Sequence, residues 1–371
     1  MKLEMIPAAR PIIGEDERVA VDRVLASGMV AQGPEVAAFE TEFAEYIVQG
    51  RECVAVNSGT SGLHLGLLAA GIGQGDEVIV PSFTFAATAN SVALTGATPV
   101  FADIEPHHFC LSPAAVRAAV TERTKAIMPV HLYGHPANMP ELLAIAEEFG
   151  LMVFEDAAQA HGASLYERRV GTFGDFGMFS LYPTKNMTSG EGGMVSCATP
   201  EFARRVRLLR NQGMDRQYAN EIVGLNNRMT DIHAAIGRVQ LTKLDAWTKQ
   251  RQDNAAFLDG HLQGVTTPSV AAGAMHVYHQ YTIRIPGAAG AERDRIVTAL
   301  RQEHQVGSGV YYPIPNHRLQ SLAEYALGLE LPETERAAAE VISLPVHPSL
   351  STGDLERIVS AVNIVVAKAG A

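Results

Sequence analysis

The sequence predicts an α/β protein with a large domain, in which helices flank a mainly parallel sheet, and a smaller α+β domain after it. Three observations lead to this prediction. Short apolar runs alternate with helical patterns as far as about residue 200, which is typical of parallel sheets. A long helical pattern without proline follows, and beyond Pro268 the alternation changes. The 371 residues suffice for two domains, which we place at residues 1–245 and 246–371.

The large domain contains the alternating elements. A helical pattern covers residues 15–27 and stops at Gly28, and a second helix is predicted over 61–70. A third begins at Asn138, a typical N-cap residue, and ends at Gly150. The apolar runs predicted as strands are 53–56, 77–80, 98–101, 126–132 and 151–154.

The long helical pattern runs from about 230 to 262 and is expected to link the two domains. In the second domain, strands are predicted at 279–285 and 310–312, with a helix at 293–302 between them. A final helix begins near Gly353. About a hundred residues of this kind form a small α+β domain of ordinary size.

Composition and charge narrow the class of function. Hydrophobic residues make up 47% of the chain and charged residues 19%, so a large core is expected and disorder is not. The formal net charge is -11 without a basic run, which argues against nucleic acid binding but leaves a phosphorylated small molecule possible.

The cellular compartment is predicted from what the sequence lacks. The three cysteines are widely spaced and match neither a zinc site nor a disulfide framework, as expected in a reducing compartment; no metal site is predicted. Residues 1–7 do not resemble a signal peptide, and no apolar stretch is long enough to span a membrane. A soluble, cytoplasmic protein is therefore expected.

Residues 57–62, Asn-Ser-Gly-Thr-Ser-Gly, follow a predicted strand and precede a helix. Glycines let the backbone approach an anion, and a helix N-terminus with hydroxyl groups supplies hydrogen-bond donors. The segment is therefore a suitable phosphate cradle, although it matches neither the Walker pattern nor the dinucleotide glycine pattern. An ordinary glycine-serine turn with a capped helix explains it equally well.

Two further positions carry candidate chemistry. Asp156 ends an apolar strand, where a carboxylate needs a cationic partner to stay charged. A protonated pyridine nitrogen is one such partner, although a metal ion or a loop cap would also explain the acid. Lys185 precedes a glycine-rich turn at 190–193, and a lysine that attacks a carbonyl carbon needs a lowered pKa. A solvated loop lysine is the ordinary alternative, and His161 is more often structural than catalytic in such a place.

Six ordered motifs together carry a family resemblance. They are Asn57–Gly62, Pro81–Phe85, Glu155–Gly162, Ser180 with Pro183–Asn186, Gly190–Gly193 and Gly224–Asp231. From about Pro7 to the C-terminus the chain resembles the DegT-type sugar aminotransferases, within the aspartate aminotransferase (fold type I) superfamily of pyridoxal-phosphate enzymes. The resemblance implies a fold type I transferase with a seven-stranded sheet in the large domain.

The resemblance also implies roles for the cofactor site. Lys185 would carry pyridoxal phosphate covalently, and Asp156 would pair with the pyridine nitrogen. Gln159 would lie near the ring hydroxyl or the ring face, and Phe85 would stack on the ring. The implied phosphate-binding residues are Gly59, Thr60, Ser61 and Ser180, with Asn226 reaching in from the neighbouring subunit. A homodimer with shared active sites is therefore expected.

The implied reaction moves an amino group from glutamate to a nucleotide-linked keto sugar, with Lys185 transferring the proton. Related dehydratases have histidine in place of this lysine, so Lys185 favours transamination. The implied substrate-binding residues are Met29, Arg228, Tyr312 and His317. Arg228 would bind a phosphate or carboxylate, or alternatively form a salt bridge at a helix N-terminus.

Three departures from the family pattern concern the substrate. Met29 replaces a common aromatic residue, Gln212 replaces a histidine and Asn316 replaces a leucine. The Tyr-Tyr-Pro loop at 311–313 favours amination at C3 of the sugar over C4. Two alternatives stay open, namely another pyridoxal-phosphate reaction on a sugar or cyclitol, and a non-catalytic regulator with the same fold.

Overall fold

The computed structural model describes residues 4–369, and the helices occupy both faces of a central sheet. The helices are α1 Glu15–Ser27, α2 Pro34–Ile47, α3 Gly59–Ala69, α4 Ala87–Ala93, α5 Pro113–Ala119, α6 Met139–Phe149, α7 Pro200–Arg210, α8 Asp231–His261, α9 Gly290–His304, α10 Pro332–Glu340 and α11 Thr352–Ala369. Three short 3₁₀ helices lie at Leu132–Gly134, Asn316–Arg318 and Gln320–Tyr325.

The strands form one large sheet and three small ones. They are β1 Glu52–Val56, β2 Glu77–Pro81, β3 Thr98–Ala102, β4 Thr124–Ile127, β5 Met152–Asp156, β6 Ser164–Leu165, β7 Arg168–Arg169, β8 Phe176–Ser180, β9 Gly193–Cys197, β10 Met214–Arg216, β11 Ala219–Asn220, β12 Ala274–Met275, β13 Tyr281–Arg284 and β14 Val341–Leu344. The small sheets are β10–β11, β12–β6–β7 and β13–β14.

The large sheet has seven strands in the order β1-β9-β8-β5-β4-β2-β3, as the resemblance implied. Strands β8, β5, β4, β2 and β3 are parallel, while β9 is antiparallel to both of its neighbours. Strand β1 therefore points the same way as β8. The carboxyl ends of β1, β2, β5 and β8 consequently meet at one edge of the sheet, where ligands bind in sheets of this kind.

Alternating side chains fill the two layers beside this sheet. On one side Val54 and Val56 of β1 pack in a cluster with Leu63 of α3. On the other side Cys53 of β1 joins a cluster with Phe39 of α2. Each fully buried leucine or phenylalanine in these layers contributes roughly 2 kcal/mol to stability.

A separate apolar cluster holds the C-terminal part of the chain together. It contains Tyr281 of β13, Ile342 of β14, Leu300 of α9 and Ile358 of α11. Leu258 near the end of α8 also belongs to it, so this helix contributes to the core of both parts. The domain limits at residues 245 and 246 stay a prediction, and they fall inside α8.

Two predicted strands differ from the structure. Residues 310–312 form a loop, because their backbone pairs with no strand among residues 4–369. The apolar run 126–132 ends as a strand at Ile127, and its last residue begins a 3₁₀ helix. Apolar character alone therefore overestimated both strands.

The structure bears on the expected absence of a membrane span, but it does not test the expected cytoplasmic location. Among the described residues, no helix is both long enough and apolar enough to cross a membrane. The prediction for residues 1–7 lies partly outside those residues, as do the outer limits of the two predicted domains. The cytoplasmic location stays a prediction.

Candidate active site

The parallel strands bring four loops together at one sheet edge. The loop after β1 carries Ser58, the loop after β2 carries Phe85, the loop after β5 carries Gln159, and the loop after β8 carries Lys185. These loops are far apart in the sequence, and they meet because β1, β2, β5 and β8 point the same way in one sheet. The site is therefore built by the sheet and not by a local motif.

The first loop forms an anion cradle at the N-terminus of α3. Ser58 caps this helix, and its Oγ accepts a hydrogen bond from the N–H of Ser61 at 3.1 Å. The N–H groups of Gly59 and Thr60 precede it, where no carbonyl of the same helix can accept them. A Cβ atom on Gly59 would lie 3.0 Å from Cβ of Ser180. A side chain here would crowd Ser180, whereas glycine leaves the space open, and the donors and the helix dipole suit a phosphate group.

Asp156 at the end of β5 is 4% exposed and held in a fixed orientation. Its Oδ2 accepts from the Thr88 hydroxyl at 2.8 Å, and its Oδ1 accepts from the N–H of Ala158 at 3.1 Å. Burial raises the pKa of this carboxyl, while the two hydrogen bonds and the positive charge of Lys185 act in the opposite direction. Such a group needs one more cationic partner, and a pyridinium nitrogen has the required charge.

Lys185 lies half-buried in the loop between β8 and β9. Its backbone N–H donates to the carbonyl of Tyr182 at 2.9 Å. Burial lowers the pKa of its amine to about 8, although the negative charge of Asp156 partly opposes this shift. A substantial fraction of the amine is therefore uncharged close to neutral pH. This is the property that a lysine nucleophile requires.

Gln159 links the sheet edge to the loop at 310–315. Its Oε1 accepts from the N–H of Tyr133 at 2.7 Å, and its Nε2 donates to Oη of Tyr312 at 3.0 Å. The Tyr312 ring lies 6.1 Å from that of Phe85, which is 60% exposed. A large exposed aromatic side chain at this edge is available to stack on a planar ligand.

His317, predicted to bind the substrate, is buried, and both of its ring nitrogens have partners within the chain. The residue is 3% exposed, with Nδ1 2.7 Å from the Ser82 hydroxyl and Nε2 3.0 Å from Oε1 of Glu335. A carboxylate only accepts, so Nε2 donates to Glu335, while Nδ1 shares a hydrogen bond with the Ser82 hydroxyl. His317 therefore fastens the loop after β2 to α10, and its predicted role toward substrate stays a prediction.

Arg228 contacts an asparagine and not the acid that a salt bridge would require, while its predicted binding of a phosphate or carboxylate stays a prediction. Its guanidinium donates to Oδ1 of Asn211 at 2.7 Å, and its backbone bridges Val56 at the end of β1. The neighbouring Asn226 is exposed, and the carbonyl of Asn227 accepts from the N–H of Asn57 at 2.9 Å. This segment thus lies beside the cradle of its own chain.

Met29 lies in the loop between α1 and α2 and is 54% exposed. No sequence pattern pointed to Thr88 in α4 or to Tyr133 in the first 3₁₀ helix, which orient Asp156 and Gln159 respectively. Glu155, next to Asp156, proves structural, because its carboxylate accepts from three backbone N–H groups and from His131. In the part of the chain that the structure describes, no cluster of His, Cys, Asp or Glu suits a metal ion.

Comparison with known proteins identifies the group to which this site belongs. Residues 11–363 match the DegT/DnrJ/EryC1/StrS aminotransferase family. The chain is 41% identical over 350 residues to a protein of Geobacillus stearothermophilus named pleiotropic regulatory protein, covering 92% of each chain. It is also 41% identical over 347 residues to UDP-N-acetyl-3-dehydro-α-D-glucosamine 3-aminotransferase of Acidithiobacillus ferrooxidans, covering 92% of this chain and 91% of that one.

A solved structure shows the same fold. The structure of DesV from Streptomyces venezuelae in complex with a ketimine intermediate superposes with a TM-score of 0.90 at 38% identity. The alignment covers 97% of this chain and 99% of that one. The similarity extends through both the large sheet and the C-terminal part.

Proposed function

The chain belongs to the DegT/DnrJ/EryC1/StrS aminotransferase family, whose members depend on pyridoxal phosphate, and we propose that it transfers an amino group from glutamate to a nucleotide-linked keto-deoxy sugar. The observation that carries the proposal is Lys185, whose amine has a pKa of about 8 within the electrostatic reach of Asp156. Amination at C3 is preferred over C4 in this proposal. The relative from A. ferrooxidans, named for a 3-dehydro sugar, supports this preference.

The residues present fit the cofactor. The start of α3, with Gly59, Thr60, Ser61 and the adjacent Ser180, would hold its phosphate, and Asp156 would hold the pyridinium proton. Phe85 and Gln159 would lie against the ring. When bound, pyridoxal phosphate stabilises negative charge on the carbon that carries the amino group.

The chain itself supplies positioning and proton transfer. Nζ of Lys185, once free, would move a proton at the carbon that bears the amino group, because its lowered pKa suits both release and uptake near neutral pH. Hydrogen bonds from the Thr88 hydroxyl and the N–H of Ala158 favour the charged form of Asp156 and oppose the rise in pKa that burial causes. Tyr312, whose pKa is raised by burial, stays protonated and supplies a hydrogen-bond donor.

Lys185→Ala tests the assignment directly. We expect the visible absorbance band of covalently bound cofactor and the formation of amino sugar to disappear, because no other amine replaces Nζ. Mass spectrometry with glutamate and a series of 3-keto and 4-keto nucleotide sugars measures both activity and the carbon preference. Lys125→Ala, an exposed lysine, is the control. Transfer to no sugar, or a band retained in Lys185→Ala, would contradict the proposal and favour a regulator.

A homodimer with shared sites is part of the proposal. The segment that carries Asn226 exposes apolar side chains, with Val223 93% and Tyr218 87% exposed. Patches of this kind mark interaction surfaces. A second copy of the chain that covers Val223 and Tyr218 would bring Asn226 of the first copy toward the anion cradle of the second.

Val223→Asp is expected to convert the dimer to monomer and to weaken retention of the cofactor, since a buried unpaired carboxylate is costly. Sedimentation and absorbance measure the two effects. Leu327→Asp, at a position that is 86% exposed elsewhere on the chain, should change neither. A Val223→Asp protein that sediments like the wild type would exclude this interface.

A further inference from the structure

Asp231, the first residue of α8, holds the loop between α1 and α2. It is 1% exposed, and its Oδ1 accepts from the N–H groups of Gly33 at 2.8 Å and Val36 at 3.0 Å. Its Oδ2 accepts from the N–H of Glu35 at 3.2 Å. Its own N–H donates to the carbonyl of Ala31 at 2.8 Å. One residue thus fixes four backbone groups nearly two hundred positions away in the sequence.

The start of α2 explains why a distant carboxylate is needed. Its N-cap is Gly33, which has no side chain to accept the first N–H groups of the helix. Asp231 supplies that acceptor, and its charge is favourable at the positive end of the helix dipole. A Cβ atom on Gly33 would lie 2.7 Å from Oδ2 of Asp231, so the contact requires glycine. The position of Asp231 therefore determines the position of the loop between α1 and α2.

Asp231 is itself placed by the active-site edge. Met229, two residues earlier, has its Cε 2.6 Å from the position of a Cβ on Gly192. The carbonyl of Gly192 accepts from the N–H of Leu181 at 2.9 Å, and Leu181 begins the loop that carries Lys185. The start of α8 thus packs against the Lys185 loop and carries the α1–α2 loop with it.

The α1–α2 loop presents Met29 and Val30, which are 54% and 42% exposed. We propose that Asp231 is a positioning residue for the sugar acceptor, because it fixes the loop at 28–34 that carries Met29, one of the side chains predicted to contact the substrate. The inference rests on the proposed function. Because the hydrogen bonds of Asp231 go to this loop and to α2, we expect its substitution to affect acceptor binding and to leave cofactor binding and the glutamate half-reaction near the wild-type level.

Two variants disturb the contact between Asp231 and the start of α2 from opposite sides. Asp231→Asn replaces one acceptor oxygen with an N–H₂ group that faces backbone donors. Gly33→Ala leaves every residue of α8 unchanged and inserts a methyl group against the carboxylate of Asp231. We expect each to raise KM for the acceptor about tenfold, the equivalent of about one charge-assisted hydrogen bond. The rate of the glutamate half-reaction and the cofactor band should stay at the wild-type level. Asp354→Asn, which removes a carboxylate that accepts from Ser351 in the first turn of α11, is the control.

The KM of the acceptor is measured with UDP-N-acetyl-3-dehydro-α-D-glucosamine. Single-turnover absorbance measures the rate of the glutamate half-reaction. The hydrogen-exchange rate of the backbone N–H groups of residues 31–36 shows whether the loop is held in place. Faster exchange with a raised acceptor KM supports the inference. An unchanged KM, or an equal loss in the glutamate half-reaction, overturns it. If the wild type aminates no nucleotide sugar, the proposed function fails instead. In that case unchanged exchange in Asp231→Asn still shows that Asp231 does not hold the loop.

Discussion

At the scale of single residues, burial converts ordinary side chains into reactive ones. Lys185 and Asp156 lie at the same sheet edge, and burial disfavours the charged form of each. The charge of each residue favours the charged form of the other, so a change in one shifts the pKa of the other. This coupling gives a test that does not depend on catalysis.

In cofactor-free protein, labelling of Lys185 by an amine-reactive reagent should rise with pH around a midpoint near 8, because burial lowers its pKa. Asp156→Asn should shift the midpoint to lower pH, since the carboxylate charge raises this pKa in the wild type. Peptide mass spectrometry measures the labelling, and exposed Lys125 normalises reagent reactivity. A midpoint near the ordinary value of about 10.4, or an upward shift in the variant, would show that this environment is wrongly described.

At the scale of elements, the start of α3 depends on its close approach to β8. Gly59 faces Ser180, and Gly66 in the same helix faces the ring of Phe176, where a Cβ would lie 2.5 Å away. The sequence predicted this helix and the cradle before it, because the capping serine and the glycines are local signals. It did not predict that Ser180 lies opposite, which follows from the position of β8 in the sheet.

Gly59→Ala should weaken cofactor binding about tenfold with little effect on the fold, because the new methyl group enters the space between the cradle and Ser180. Titration of cofactor-free protein with pyridoxal phosphate gives the Kd. Gly260→Ala in α8, where a Cβ meets nothing within 4 Å, should leave the Kd unchanged and raise stability by up to about 1 kcal/mol. Equal affinity of both variants for the cofactor would remove Gly59 from the phosphate site.

At the scale of the whole molecule, several histidines are buried in the neutral form. Burial lowers the pKa of His161 to about 3, that of His135 to about 4, and that of His276 well below its ordinary value. The Nδ1 of His276 accepts from the N–H of Tyr278 at 3.1 Å, a bond that a proton on that nitrogen would break. In the unfolded chain these groups bind protons below about pH 6.5.

Stability should therefore fall as the pH drops from about 6.5 toward 4, because the unfolded state then binds more protons than the folded state. Each such histidine steepens the loss by up to about 1.4 kcal/mol per pH unit. Thermal unfolding at constant ionic strength between pH 7 and pH 4.5 measures it. His161→Phe should reduce the slope, because it removes a ring whose pKa burial lowers to about 3. An unchanged slope in this variant would mean that His161 is protonated in the folded state.

The sequence by itself determined the alternation of elements and the helix ends, and it proposed the candidate site residues. Lys185, Asp156 and Gly59 were recognised because each belongs to a short segment whose residue order is informative. Their roles as individual residues remained ambiguous, since one loop lysine or one strand-end acid has several ordinary explanations. The family resemblance resolved that ambiguity only through the order of six segments.

Only the tertiary structure decided which side chains act on one another. Thr88 on Asp156, Tyr133 on Gln159 and Asp231 on Gly33 are contacts between residues 26 to 198 positions apart. It also showed that His317 is committed to Ser82 and Glu335, and that 310–312 is a loop. Local patterns report on neighbours along the chain, whereas these pairings arise from the parallel order of the strands and the packing of helices across it.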